Sequence, residues 1–249
     1  MSARIDNILR GFVDDLSETH GANLVSVVLY GSAAVGDHIP LQSDYNILVV
    51  LRRIAPEDLR LAQSAVRNWR RLGFSLPVYF TLDELRSALD VFPIEFHHME
   101  RARRVLYGSD PFEGVTISDE NLRHQTEYEL RSKLIQLRRH YVPAASSAER
   151  LCDLMAESFS SVAALLAPAL MLRGEKNPPV TKRELIQLAA ERFALDRATL
   201  EALLELRTRA PGELDLAAAE RLFASYLAQL ERLIATVDSL TETTGSAGT

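Results

Sequence analysis

Apolar positions in the first half of the chain switch between two periods. Ile5, Ile8, Leu9, Phe12, Val13 and Leu16 recur three or four apart and make one stripe along a helix. Gly21 breaks that pattern, and Leu24 to Tyr30 is a valine-rich run that predicts a strand buried on both faces. Ile47 to Leu51 predicts a second such strand. From about Pro56 to Leu72 a helical pattern puts Leu59, Ala62, Val66 and Trp69 on one side, and Gly73 ends it. Phe74 to Phe80 predicts a third strand. Thr81 and Glu84 have the spacing of a capping box and open another helix. Val105 to Tyr107 is a short last apolar element ahead of the turn GSDPFEG.

After Ser118 and Asp119 no strand pattern returns. Leu130, Leu134, Leu137 and Tyr141 share one helical face, and a second helix carries Leu151, Leu154, Met155, Val162, Leu165 and Leu166. Thr181 and Glu184 form another capping box, and Asp196 suits the N-cap of the helix bearing Leu200, Leu203 and Leu204. A last helix from about Asp215 turns Leu222, Phe223, Tyr226, Leu230, Leu233 and Val237 inward. Amphipathic helices joined by short loops make a bundle. The expected organisation is an α/β (α+β) layered domain over 1–115, a helical bundle over 116–240, and a tail over 241–249 too polar to order itself.

Composition narrows the setting. The 249 residues are 47% hydrophobic and 25% charged, with a net charge of −6 and a pI near 5.6. Such a chain has a real core and lacks the basic footprint of a non-specific nucleic-acid binder. The single cysteine, Cys152, rules out an internal disulfide and suits a reducing compartment. The acidic first residues do not read as a signal peptide, and no run approaches the roughly 20 apolar residues of a membrane span. The expectation is a cytoplasmic protein with no membrane partner.

Candidate chemistry gathers in LVSVVLYGSAAVGDHIPLQSDYNILVVL, residues 24–51. Gly31 lets the backbone approach a bulky ligand, and Ser32 offers a hydroxyl and a main-chain N–H. If a short helix starts at Ala33, its amides favour an anion there. Eleven residues separate Ser32 from Asp44, and residues 44 and 46 share a strand face because side chains alternate. This layout resembles the signature of the polymerase-beta-like nucleotidyltransferase superfamily: a Gly-Ser turn, a spacer, then Asp-x-Asp. The stretches SDYNILVVL, FPIEF, RVLYGSDPF and SYLAQLERL are similar to a bacterial branch with a kanamycin-nucleotidyltransferase-like helical C-terminal half.

The resemblance implies a nucleoside triphosphate held at Gly31 and Ser32, and Mg²⁺ at Asp44 and the residue two on. It also implies transfer of a nucleoside monophosphate to an acceptor hydroxyl, with Asp44 catalytic. Here the second metal position is Asn46, which offers an oxygen without charge, and FSLPVYFT supplies no third acid. Two-metal transfer needs charged oxygen ligands around both ions. The expected function is therefore nucleotide or phosphate binding with impaired transfer. An active enzyme drawing an acid from the helical half (Glu127, Glu129 or Glu157) and a non-catalytic partner-binding protein, including a homodimer, stand as alternatives. Glu84 reads as a cap. Glu95, set between Ile94 and Phe96, reads as an ion-pair partner of Arg101, Arg103 or Arg104, or else as a catalytic acid. His97 and His98 point about 100° apart on a helix and do not converge on one ion. The run RARR at 101–104 reads as a solvated face or a phosphate collector.

Overall fold

The computed structural model describes residues 3–31, 33–34, 45–179, 181–206 and 214–240. The chain divides into two compact units, 1–118 and 119–249.

In the first unit the helical stripe forms α1 (Ala3–His20), a single 3₁₀ turn follows, and the valine-rich run forms β1 (Leu24–Tyr30). Next come β2 (Asn46–Leu51), α2 (Pro56–Leu61), α3 (Gln63–Arg71) and β3 (Val78–Thr81). The unit closes with α4 (Leu82–Ser87), α5 (Pro93–Arg101) and β4 (Arg103–Gly108). The sheet order is β3-β2-β1-β4, with β1 antiparallel to both neighbours and β2 parallel to β3.

Both faces of this sheet are covered, which is why β1 and β2, Ser26 and the leading Asn46 apart, carry apolar residues on both faces instead of alternating. On one side Val27, Leu29, Ile47, Val49 and Leu51 pack with Leu9, Phe12 and Leu16 of α1 and with Trp69 of α3. On the other, Val28, Leu48 and Val50 pack with Leu85 of α4 and with Phe96 and Met99 of α5. Trp69 stacks on Phe12 with ring centroids 4.6 Å apart and lies 4.3 Å from Phe74, while its Nε1 donates to the Ser75 carbonyl at 2.8 Å.

Three elements differ from the pattern reading. The helix expected from Pro56 to Leu72 is two helices parted at Ala62. The third strand is confined to 78–81, because Pro77 has no N–H for the ladder and Ser75 is tied to Trp69. The final strand runs from Arg103 to Gly108, longer than Val105 to Tyr107. Its end is fixed by contact: a side chain at Gly108 would begin 2.0 Å from the Val25 carbonyl oxygen.

The second unit is helical: α6 (Asp119–Ala144), α7 (Ala148–Ala164), α8 (Leu166–Leu172), α9 (Lys182–Arg192), α10 (Arg197–Glu205) and α11 (Leu216–Ser239). The helix expected through Leu166 breaks at Leu165. Pro168 has no N–H to return to the carbonyl four residues earlier, so the α-helical ladder cannot run through that turn. Side chains cap several of these helices: Thr181 accepts from Glu184 N–H, Asp196 from Ala198 and Thr199, and Asp215 from Ala218. The segment 148–172 is apolar and long enough by composition to cross a membrane, contrary to the sequence reading. Its Leu151, Met155, Phe159, Val162 and Leu170 are instead buried within the helical unit.

Candidate functional site

The end of β1 and the start of β2 lie side by side. Tyr30, the last residue of β1, pairs with Asn46, the first of β2, and with Arg103 across β4. Cross-strand partners point to the same face, so Asn46, Tyr30 and Arg103 form one row. By alternation Asn46 shares the face of Leu48 and Val50, the one covered by α4 and α5. Burial raises the Tyr30 phenol above its ordinary value, so it stays protonated.

Gly31 turns the chain away from this row with φ +82°, a left-handed conformation that glycine adopts without strain. A Cβ at this position would lie 3.3 Å from Asn46 Nδ2. Gly31 N–H donates to the Ala102 carbonyl at 2.8 Å, and the Gly31 carbonyl accepts from Ala34 N–H at 2.9 Å. Residues 33 and 34 lie in a turn closed by that bond. The amides of Gly31 and Ala34 are committed within the protein, so an anion there must find its donors elsewhere. Ser32 and Asp44 lie outside the described residues.

The arginines after α5 are largely committed. Arg103 makes a two-pronged ion pair with Asp110 at 2.8–3.1 Å and lies over the Phe112 ring, 5.6 Å from its centroid. Burial pushes the Asp110 carboxyl up. Hydrogen bonds from Arg103 and Phe112 N–H, with the Arg103 charge, outweigh this and leave it below the usual carboxylate range. Arg104 pairs with Asp6 of α1 at 3.0 Å. Neither a solvated face nor an open phosphate collector describes these two residues. Sequence reasoning missed Asp110, for which the available signal was a carboxylate in the turn SDPF six residues beyond Arg104.

Glu84 accepts from Thr81 N–H at 2.7 Å, completing the expected capping box. Glu95 is exposed on α5. His97 stands 3.6 Å from Glu100. Among the described residues no three His, Cys, Asp or Glu side chains cluster as a metal site. In the helical half Glu127 is held by Arg123 at 2.8 Å and Arg131 at 2.7 Å. Glu157 lines a groove between α6 and α7. The described donors at the head of β2 do not fit a pair of divalent ions, because Asn46 is neutral and β3 carries no acid.

No protein-family model matches the chain, and no curated protein matches it. Among solved structures, the chain is similar to spectinomycin adenyltransferase from Enterococcus faecialis, crystallised with ATP and spectinomycin. The TM-score is 0.53 at 14% identity, covering 90% of this chain and 98% of that one.

Proposed function

We propose that this chain, which has the polymerase-beta-like nucleotidyltransferase fold, binds a nucleoside triphosphate where β1 hands over to β2 and carries out metal-dependent transfer poorly or not at all. The observation that carries this reading is the glycine turn that ends β1 with φ +82°, set beside Asn46 at the head of β2. A backbone bared of side chains at the end of a central strand suits the close approach of a phosphate chain. The neighbouring enzyme's ATP and antibiotic support a nucleotide and a hydroxylated acceptor as the ligand classes. In this reading Ser32 contributes a hydroxyl and an amide to the phosphates, and Asp44 is the one carboxylate toward Mg²⁺. Asn46 adds an oxygen but no charge, so it does not offset the positive charge of a second ion. The protein acts in the cytoplasm, away from membranes.

Calorimetry with ATP and Mg²⁺ tests this on the wild type and on Asn46→Asp. The expected result is measurable wild-type binding that tightens about tenfold or more in Asn46→Asp as a second charged ligand is restored. Absence of binding in both proteins removes the proposal. Wild-type turnover of labelled nucleotide that vanishes in Asp44→Ala replaces it with the active-enzyme reading.

A further inference from the structure

Between α6 and α7, wholly within the helical unit, lies a groove of about 300 Å³, at the small end of the range for ligand sites. Its two walls differ in charge. From α6 come Lys133 and, two turns on, His140, with Gln136 between them; from α7 come Glu157, Ser158 and Ser161. Among the described residues, neither Lys133 nor Glu157 makes a salt bridge. This separates them from Glu127, Arg131, Arg138 and Glu231, which spend their charges on one another or on nearby partners of the same unit. Leu137 and Leu154 supply apolar surface in the same groove.

We propose that this groove binds a small zwitterion, a molecule of the amino-acid class with an ammonium and a carboxylate joined by a short aliphatic or hydroxylated middle. A simple anion would satisfy Lys133 and meet Glu157 unfavourably, and a simple cation would do the reverse. A ligand carrying both charges matches both walls, and its middle lies against Leu137 and Leu154. Ser161, whose hydroxyl donates to the Ser158 carbonyl at 2.8 Å, keeps its oxygen lone pairs for the ammonium end. Gln136 supplies amide donors for the carboxylate end. The site is independent of the nucleotide reading.

The test uses the full-length protein labelled with ¹⁵N and titrated with glycine, 4-aminobutyrate and 6-aminohexanoate, beside butylamine and butyrate as single-charge controls. At least one zwitterion is expected to shift amides of residues 133–140 and 154–161 and to bind at least tenfold more tightly than either control. Lys133→Glu or Glu157→Lys alone should weaken binding at least tenfold, and the two together should restore most of it by exchanging the walls. Equal binding of zwitterion and controls, shifts confined to other segments, or no shift at millimolar probe overturns the proposal. The wild-type titration decides the matter even if a charge-exchanged variant fails to fold.

Discussion

Asn46 Nδ2 lies 3.3 Å from the point where a side chain on Gly31 would begin, at the end of the sheet where β1 stops and β2 starts. Position 31 is thus closed to a larger residue twice over, by its left-handed backbone and by its neighbour. Gly31→Ala is expected to cost about 1–2 kcal/mol from the backbone alone. Urea unfolding should show this loss, and the additional change Asn46→Ala should recover only the part owed to the contact. Full recovery would mean the backbone conformation carries no cost.

Trp69 joins α3 to α1 through Phe12 and is 2% exposed. It is the chain's one tryptophan, so intrinsic tryptophan emission follows the first unit alone. Trp69→Phe loses the bond to Ser75 and part of the stacking surface, and Trp69→Ala should cost about 3–5 kcal/mol. Circular dichroism at a helix wavelength, weighted toward the second unit, should retain a transition near the wild-type midpoint in Trp69→Ala. Loss of that transition would show that the two units do not unfold independently.

His20 is 7% exposed at the end of α1, and neither ring nitrogen has a hydrogen-bond partner among the described residues. Burial pushes its imidazole below the ordinary value, with the Asp58 carboxylate pulling weakly the other way. A histidine in the unfolded chain titrates near 6.5, so on acidification the unfolded state takes the proton first. Stability should be complete above that value and fall as the pH drops below it, toward the lower folded value. Denaturation midpoints measured between about pH 7.5 and 5 should show the decline, and His20→Gln should flatten it.

Arg103 and Asp110 form a second, more acidic element of pH dependence. The depressed carboxyl of Asp110 contributes stability above the unfolded aspartate value near 3.9, and that contribution is lost as the pH falls through its lower folded value. Arg103→Ala leaves the Asp110 carboxylate without its charged partner and should destabilise the first unit by about 1–3 kcal/mol at neutral pH. The loss should shrink as the pH is lowered through that depressed value, and a loss that stays constant across the acid range would contradict this assignment.

The sequence made the local decisions visible. The largely apolar character of β1 and β2 reflects a sheet covered on both faces, and Thr81, Thr181, Asp196 and Asp215 marked helix starts because capping chemistry is local. What it concealed depends on distant partners. The shortening of β3 follows from Ser75 being claimed by Trp69 as well as from Pro77. The commitment of Arg104 to Asp6 needs α1 to lie against β4, which no spacing in the chain announces. At the candidate site the adjacency of Gly31 and Asn46 follows from a β1–β2 pairing that two neighbouring apolar runs suggest. The inward use of the Gly31 amide does not, because it depends on Ala102 arriving from far along the chain.

The order of the strands also sets a schedule for synthesis. β1 and β2 leave the ribosome early and can pair as soon as both are out, but the other side of β1 must wait for β4, which does not begin until Arg103. Throughout that interval a nascent chain displays the open rim of a largely apolar strand, the kind of template that recruits other chains. Premature termination between Leu51 and Arg103 would make this exposure permanent, and such fragments should collect in inclusion bodies.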